Sequence, residues 1–401
     1  MRIALFSGNY NYVRDGANRA LNRLVSYLET QGVEVLVFSP TTATPAFAPA
    51  GTLVSVPSMP VPLRSEYRIA MGLSDAIRKK VEAFKPDLIH LSAPDILGYS
   101  ALRYALRQGI PAIASFHTRF DTYFSYYGLP WLDKAFTKYL GHFYRHCERV
   151  YAPSESMAQE MRVNKMGRDI RIWSRGVDSN LFNPGQRDLD WRRSHGIGDD
   201  EVVMTFVGRL VLEKGLDVFA NVSETLTRLG KPHRVLVVGD GPERQNFAKQ
   251  VPNAVFTGFL SGQELGRAYA SSDIFLNPST TETFGNVTLE AMATGLPVVC
   301  ANATGSQSLV RHGTNGFLCD PLSLEDYSFY VGKLLEDAEL RGAMSKASLQ
   351  ASKAYDWDQV MNKLMVQYSE VIDTGSRIQP KKKLSPAFFS LSDAVRRSLS
   401  L

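Results

Sequence analysis

Short apolar runs alternate with helix-length amphipathic stretches along almost the whole chain. Such alternation is typical of stacked β-α units and predicts a parallel sheet covered by helices. The predicted strands of the first half are residues 3–7, 33–38, 88–91, 112–116, 150–152 and 171–173, and those of the second half are residues 202–207, 234–238, 255–257, 274–277 and 297–300.

A polar stretch at residues 178–200 separates the two series of strands, and we interpret it as an interdomain linker. The chain is therefore predicted to be α/β, with two doubly wound, Rossmann-like domains at residues 1–177 and 178–355. Residues 323–373 are predicted to be helical, with a last helix at 356–373 that returns to the first domain. Ligands of such sheets bind beyond the carboxyl ends of the strands, so two facing domains predict a site in the cleft between them.

The composition describes a globular chain without a spanning segment. It is 44% hydrophobic and 21% charged, which excludes collagen-like and disordered chains. Residues 35–63 are uncharged, but their six prolines exclude a membrane-spanning helix, and we predict one strand followed by loops. The first apolar run is too short for a signal peptide. Three cysteines without a C-x-x-C pair indicate a reducing cytosol.

The net charge of +5 is unevenly distributed. Residues 1–177 hold 22 basic and 14 acidic side chains, whereas residues 178–374 hold 17 and 25, so the whole surplus lies in the tail. This division predicts that one side of the molecule faces an anionic surface. Nucleic-acid binding is not supported, because the part before the tail is neutral.

The densest candidate for chemistry is the segment 279–290, which follows a predicted strand and opens a helix. Glu282 is expected in the loop and Glu290 two turns into the helix, so that both carboxylates face one ligand. Carboxylates suit sugar or ribose hydroxyls, and free N–H groups at Gly285 and Asn286 suit phosphate oxygens. An isolated pair of this kind is also compatible with a helix-entry charge and a solvated surface residue.

Three further segments carry candidate residues. Arg209 and Lys214 lie on a loop that feeds a helix and are able to clamp a diphosphate without a metal; the alternative is a pair of surface cations beside Glu213. His117 follows a strand of the first half and is expected to face the cleft, although a structural histidine is equally compatible. Gly16 belongs to a weak glycine motif after the first strand.

Together these segments resemble the family-4 retaining glycosyltransferases of the GT-B fold, over nearly all of residues 1–373. The most specific match is Thr281-Glu282-Thr283-Phe284-Gly285-Asn286 with Glu290. The resemblance implies transfer of a sugar from a nucleotide diphosphate with retained configuration, usually without a divalent metal. The sequence agrees, since it has no D-x-D triplet and no His/Cys cluster with ligand spacing. No cofactor is expected, because the nucleotide sugar is a co-substrate.

The resemblance also assigns expected roles. Arg209 and Lys214 would bind the diphosphate, and Glu290 would hold the ribose. Glu282 and His117 would lie by the donor sugar. Backbone N–H groups would come from Phe284, Gly285 and Asn286, and the phosphate loop would contain Gly16, with Arg19 close by.

The segment 117–128 is similar to a subgroup that includes GDP-mannose-dependent mannosyltransferases and sulfoquinovosyl-diacylglycerol synthases. This similarity implies a lipid acceptor and a peripheral position on the cytoplasmic face of the cell membrane. Arg14 and Arg19 suggest an acidic donor such as UDP-glucuronate, with GDP-mannose as the alternative. Residues 131–149 are interpreted as an amphipathic helix on anionic headgroups or as an ordinary half-buried helix. The basic tail, 374–401, is expected to be a second membrane contact, in part as a short amphipathic helix.

Two other hypotheses remain. One is a soluble or polysaccharide acceptor, and the other is a sugar-nucleotide-binding protein that has lost transfer activity. A different reaction on the same fold, such as epimerisation or phosphorolysis, is a further alternative. For phosphorolysis we identify no pyridoxal-type lysine site.

Overall fold

A computed structural model describes residues 1–13, 16–61, 64–116 and 130–375. Three parts of the sequence prediction lie outside the described residues: the expected site residue His117, Arg14, which was named together with Arg19, and the tail beyond residue 375. The elements of the first half are β1 (Arg2–Phe6), α1 (Gly16–Thr30), β2 (Glu34–Ser39), β3 (Thr52–Ser55), β4 (Ser58–Val61), β5 (Arg64–Ala70), α2 (Asp75–Phe84), β6 (Leu88–Leu91), α3 (Ile96–Gln108), β7 (Ala112–Ser115), α4 (Pro130–Arg145), β8 (Arg149–Ala152), α5 (Glu155–Val163) and β9 (Ile170–Ile172).

The first half forms a seven-stranded parallel sheet in the order β3-β2-β1-β6-β7-β8-β9. Its central strands are buried on both faces, which explains their continuous apolar runs. Helices begin where polar side chains cap them: Ser74 accepts from the Ile77 N–H before α2, and Asp95 accepts from the Gly98 N–H before α3. The turn that leads from β6 into α3 therefore lies at the carboxyl edge of the sheet.

The second half repeats the plan with its own sheet, in the order β12-β11-β10-β13-β14-β15. Its elements are α6 (Leu189–Ser194), β10 (Val203–Val207), α7 (Leu216–Arg228), β11 (Arg234–Val238), α8 (Arg244–Gln250), β12 (Val255–Gly258), α9 (Gly262–Ala270), β13 (Ile274–Asn277), α10 (Asn286–Ala293), β14 (Val298–Ala301), α11 (Thr304–Gln307), β15 (Gly316–Cys319), α12 (Leu324–Glu336), α13 (Ala338–Ser352) and α14 (Trp357–Gly375). All of its strand pairs are parallel.

The chain passes between the two halves twice, at neighbouring points. Val177 forms a parallel bridge with Asp356 and donates its N–H to the Tyr355 carbonyl at 2.9 Å. Helix α14 then packs on the first sheet, where Met361, Leu364 and Tyr368 join the core. The boundaries at residues 177 and 355 stay a prediction.

The polar stretch 178–200 contains more structure than a free linker. A 3₁₀ turn at Pro184–Gln186 and the helix α6 lie within it, and Phe182, Trp191 and Ile197 are buried in the core of the second sheet. The buried Arg192 guanidinium donates to Asp273 at 3.1 Å. Three separate apolar residues in a polar stretch give no periodic signal, so the sequence does not reveal this packing.

Further strands depart from the sequence prediction. The uncharged stretch contains β3 and β4, where only loops were expected, and β4 pairs with β5 in an antiparallel hairpin. Pro60 fits within β4 because a hairpin strand has a free edge. At the end of the second sheet, β15 begins at Gly316, where any side chain would overlap the Val298 carbonyl.

Of the two interpretations of residues 131–149, the described side chains favour the ordinary half-buried helix. Leu140 and Phe143 of α4 are completely buried in the core of the first half. The Tyr139 hydroxyl donates to the Pro94 carbonyl at 2.6 Å. The described part of α4 is therefore an ordinary half-buried helix. Among the described residues, no helix is both long and apolar enough to span a bilayer.

Candidate active site

The loop that carries Glu282 joins β13 to α10 at the carboxyl edge of the second sheet. Buried Asn277, the last residue of β13, accepts the Ser279 N–H at 3.2 Å and donates to the Thr288 hydroxyl at 3.1 Å. These two bonds fix both ends of the loop. Helix α10 starts at Asn286, so Glu290 lies about one turn into it, rather than the two turns predicted.

Phe284 and Gly285 shape the start of α10. The Phe284 residue is buried, and the centroid of its ring lies 5.8 Å from that of Tyr355, so its side chain anchors the loop in the core. Gly285 has φ +92°, a conformation that favours glycine, and it precedes the first helical N–H groups. The helix start therefore offers unobstructed donors to an anion.

Glu290 is partly buried beneath this helix start. The Tyr269 hydroxyl of α9 lies 3.1 Å from its Oε2 and 3.2 Å from the Val287 carbonyl. Burial raises the pKa of Glu290 to about 7; the Tyr269 hydrogen bond and the charge of Arg19 lower it, and Glu282 raises it further. The carboxylate is held in a fixed orientation with its charge incompletely compensated, which suits a ligand that donates hydrogen bonds.

Lys214 and Glu282 form an ion pair with 2.5 Å between Nζ and Oε1, both side chains being about one quarter exposed. Lys214 ends a 3₁₀ turn at Leu212–Lys214, and the next residue, Gly215, has φ +70° and packs closely on Pro278. The two loops are thus in contact. Arg209 extends exposed from the same loop, and its side chain has no ion-pair partner among the described residues.

Two glycines bring the loop after β11 against the Arg209 loop. A Cβ atom at Gly239 would overlap the Gly208 carbonyl, and one at Gly241 would overlap the Leu210 carbonyl. The Gly239-Asp240-Gly241 segment is explained by this close backbone approach.

Gly16 of the first half faces the start of α10. A Cβ atom built on Gly16 would lie 3.0 Å from Nδ2 of Asn286, whose Oδ1 is buried without a hydrogen-bond partner among the described residues. The N-termini of α1 and α10 thus approach each other, and both dipoles favour negative charge between them. Arg19, exposed on the first turn of α1, acts electrostatically on Glu290.

A second contact between the halves was not predicted. Ser154 caps α5 and donates to the Thr283 carbonyl at 2.9 Å. Ser156 lies 2.9 Å from the Ser308 hydroxyl and donates to the Thr304 carbonyl. The Pro-Ser-Glu-Ser segment was noticed in the sequence only as a family match, and nothing in its spacing indicates that it holds the loop of Glu282.

The structure thus gathers Gly16, Arg19, Lys214, Glu282, Phe284, Gly285, Asn286 and Glu290 at one cleft, with Arg209 on the adjoining loop. Tyr269 and Ser154 are additional residues of this site. Tyr269 lies on an amphipathic helix, where a buried tyrosine is usually part of the core, so its sequence position carries no functional signal. No group of three His, Cys, Asp or Glu side chains in the described ranges is arranged to hold a metal ion.

The fold is the GT-B fold of solved glycosyltransferase structures. The solved structure of sucrose-phosphate synthase from Thermosynechococcus elongatus superposes with a TM-score of 0.76, at 19% identity, over 93% of this chain and 99% of that one. That of Anabaena HepE, in complex with UDP and glucose, superposes with a TM-score of 0.69, at 21% identity, over 92% and 100%. The predicted fold class is confirmed.

The chain belongs to glycosyltransferase family 4. The model of Glycosyltransferase Family 4 matches residues 14–181, and that of Glycosyl transferases group 1 matches residues 188–351. Sulfoquinovosyl transferase SQD2 of Arabidopsis thaliana is 34% identical over 92% of this chain and 74% of its own length. A GDP-mannose-dependent alpha-mannosyltransferase of Corynebacterium glutamicum is 31% identical over 94% and 91%. The alpha-monoglucosyldiacylglycerol synthase of Acholeplasma laidlawii is 24% identical over 95% and 100%.

Proposed function

We propose that this glycosyltransferase moves a hexosyl group, with retained configuration, from a nucleotide-diphosphate sugar to a membrane lipid at the cytoplasmic face. Two observations at the cleft carry the proposal. Lys214 and Glu282 form an ion pair, and Gly16 of the first half faces Asn286 at the start of α10. The name of the Acholeplasma relative, alpha-monoglucosyldiacylglycerol synthase, supports a lipid acceptor.

In this proposal Lys214 and Arg209 stabilise the departing nucleotide diphosphate. Negative charge grows on the phosphate oxygen as its bond to the anomeric carbon breaks, and fixed cations beside that oxygen lower the barrier. Glu282 holds the Lys214 ammonium at 2.5 Å, so its position is set before the donor arrives. Two cations and two helix starts provide this charge stabilisation without a metal ion.

Retention requires no protein nucleophile in this scheme. The acceptor hydroxyl attacks the anomeric carbon on the face from which the diphosphate leaves, and the departing phosphate oxygen takes the hydroxyl proton. Glu282 would then lie beside the donor sugar as an orienting and electrostatic group. His117 is likewise proposed to lie beside the donor sugar.

Glu290 is proposed to bind the ribose. A carboxylate accepts two hydrogen bonds, and a ribose diol donates two, so the ionised form of Glu290 is the binding form. Tyr269 supports this role because its hydroxyl fixes Oε2 at 3.1 Å.

The donor sugar is proposed to be acidic, such as glucuronate, with mannose as the alternative. The name of the Arabidopsis relative contains a sulfoquinovosyl group, which carries a sulfonate, whereas the Corynebacterium relative is named for GDP-mannose. Arg19 is exposed at the cleft and supplies a cation for an acidic donor. A neutral sugar would leave that cation without a counterpart on the donor.

The proposal is tested with purified full-length protein, a panel of UDP- and GDP-sugars, a lipid extract and mass spectrometry of the products. A glycolipid formed from UDP-glucuronate in the presence of a chelator is the expected result. Turnover with GDP-mannose alone would refute the acidic donor. Transfer only to soluble glycans would refute the lipid acceptor, and donor binding without any product would indicate a binding protein.

A further inference from the structure

The hairpin formed by β4 and β5 has two chemically different faces. Met59 pairs with Ile69, and Ser58 pairs with Ala70. The Met71 N–H donates to the Pro57 carbonyl at 2.9 Å, which extends the pairing by one step. Since side chains alternate along a strand, Pro57, Met59, Ile69 and Met71 share one face, and Ser58, Arg68 and Ala70 share the other.

The polar face is the inner one. Ala70 is buried in the core of the first half, and the Arg68 guanidinium donates to the Ser58 hydroxyl at 2.8 Å and to the Ser58 carbonyl at 3.1 Å. The Tyr12 hydroxyl accepts from the Arg68 N–H at 3.3 Å. The Arg68–Ser58 bonds join the two strands, whereas Ala70 and the Tyr12 hydroxyl fix the hairpin to the rest of the molecule with its apolar side turned outward.

The outer face is exposed. Met59 is 48% and Met71 51% exposed, and Gly72 lies beside Ile96, which is 48% exposed at the start of α3. Exposed apolar residues are ordinary when they are scattered, but a contiguous patch on a rigid element marks an interaction surface. Methionine suits a disordered partner such as acyl chains, because its long, unbranched side chain adapts its shape.

The hairpin also lies at the cleft. The same Tyr12 hydroxyl that contacts Arg68 donates to the Gly8 carbonyl at 2.8 Å, and Gly8 follows β1 at the carboxyl edge of the first sheet. Ile96 follows β6 at the same edge. A lipid resting on the hairpin therefore has its headgroup close to the mouth of the cleft.

The charges beside the hairpin favour a bilayer over another apolar partner. Helix α2 begins four residues after Met71 and exposes Lys79 and Lys80, for which the described residues provide no ion-pair partner. The same helix exposes Asp75 and Glu82, but Arg78, Lys79 and Lys80 outnumber them. An exposed apolar face followed directly by a basic helix matches the interface of an anionic bilayer, where acyl chains lie next to phosphates. Leu140 and Phe143 of α4 are buried in the core and are not available for such a contact.

We propose that the outer face of the β4–β5 hairpin, with Met59 and Met71 at its centre, inserts among the acyl chains of the bilayer that presents the acceptor. The inference rests on the proposed lipid acceptor and identifies the surface that meets it. The hairpin would hold the enzyme at the depth of the headgroups, so that an acceptor enters the cleft without leaving the bilayer.

The first test measures how full-length protein partitions onto vesicles of phosphatidylglycerol and phosphatidylcholine. The double variant Met59→Ser/Met71→Ser should bind at least about tenfold more weakly, because two apolar side chains no longer enter the hydrocarbon. The difference should persist at about 1 M salt, where the contribution of basic segments is screened. Leu229→Ser/Leu322→Ser, which alters two exposed leucines of the second half, is the matched control and should bind as wild type.

The second test places an environment-sensitive dye on Met59→Cys, which is feasible because Cys147, Cys300 and Cys319 are buried. The emission should shift to the blue on vesicles and remain unchanged for the same dye on Leu322→Cys. Equal vesicle binding by the serine variants and wild type, or a blue shift that depends on protein concentration without vesicles, would overturn the proposal. The latter result would indicate that a second copy covers the face.

Donor turnover on a detergent-solubilised acceptor separates this proposal from the proposed function. The hairpin variants should keep wild-type turnover there, since Met59 and Met71 are outside the candidate active site. Absence of any lipid product from the wild type, together with dye insertion, would refute the lipid acceptor while leaving the membrane contact in place.

Discussion

The Ser154 hydroxyl of the first half donates to the Thr283 carbonyl of the second half at 2.9 Å, one residue beyond Glu282. The loop that carries a candidate catalytic carboxylate is therefore held by the opposite half of the molecule. If this loop binds the donor as proposed, donor binding and the approach of the two halves are linked through this hydrogen bond and the neighbouring contacts of Ser156.

Ser154→Ala should raise the KM for the donor about fivefold, because one hydrogen bond is typically worth about 1 kcal/mol. Initial rates at varied donor concentration test this. Ser100→Ala removes a serine hydroxyl that, among the described residues, bonds to the Ile96 carbonyl within α3, and it should leave KM unchanged. Since Ser154 also caps α5, thermal unfolding must be measured in parallel. An unchanged KM in a folded variant would show that the contact plays no part in donor binding.

Lys214→Ala should lower kcat by about a hundredfold or more, in line with the loss of one preorganised electrostatic contact to a developing charge. The variant also leaves Glu282 without its partner, which adds repulsion toward the diphosphate. Lys231→Ala is the matched control, because Lys231 pairs with Glu336 at 2.8 Å away from the cleft. Equal kcat values for the two variants would show that Lys214 does not stabilise the departing diphosphate.

Donor affinity should increase as the pH rises through about 7, because burial raises the pKa of Glu290 to about 7 and the ionised carboxylate binds the ribose. Glu290→Gln should bind the donor weakly at all pH values and abolish this dependence. Isothermal titration with the nucleoside diphosphate between pH 5.5 and 8.5 is the measurement. A wild-type affinity that is flat over this range would contradict the assignment.

The same carboxyl predicts a pH-dependent stability. A carboxyl with a raised folded-state pKa stabilises the fold fully below its unfolded value of 4.5, and that contribution is lost as the pH rises through about 7. The shift corresponds to at most about 3 kcal/mol. Glu290→Gln should therefore raise Tm relative to wild type at pH 8 and give little gain at pH 5. An increase in Tm that is equal at pH 5 and pH 8 would show that it does not come from ionisation of Glu290.

Gly16→Val should weaken donor turnover about tenfold without unfolding the protein, because even a Cβ at this position would lie 3.0 Å from the Asn286 amide and narrow the space between the two helix starts. Gly342→Ala is the control, since an added Cβ there contacts nothing within 4 Å. Turnover and Tm of the two variants are compared. A wild-type rate in the folded Gly16→Val variant would mean that Gly16 does not line the donor site.

The sequence predicts the elements whose apolar and polar positions follow from their own local run of residues. Continuous apolar runs such as Ile274–Asn277 indicate strands buried on both faces. The glycine and acidic residues after them mark the loops that the structure brings to one cleft, and their roles stay a prediction. The β4–β5 hairpin was missed because its apolar face is turned to solvent and three prolines, Pro57, Pro60 and Pro62, disguise the alternation. The periodicity of apolar residues shows that a strand or helix has an apolar face. It does not show whether another element of the protein packs on that face or leaves it exposed.

The site residues that sequence reasoning missed act through long-range contacts. Tyr269 is 21 positions from Glu290, and Ser154 is 129 positions from Thr283. The sequence around each of these two residues does not indicate which distant residue it contacts. The same limitation explains α4, where Leu140 and Phe143 form an apolar stripe suited to a membrane until the core of the first half is seen to occupy it.

The position of α14 has a consequence for synthesis on the ribosome. Tyr368 lies 3.0 Å from the imidazole of buried His90, and Leu364 and Val371 cover the same sheet as Ile3 and Leu5. The first half to emerge thus lacks part of its own core until the last described helix has been translated. We therefore expect the nascent amino-terminal half to expose this apolar surface until α14 has been synthesised and to complete its core only when that helix packs on it.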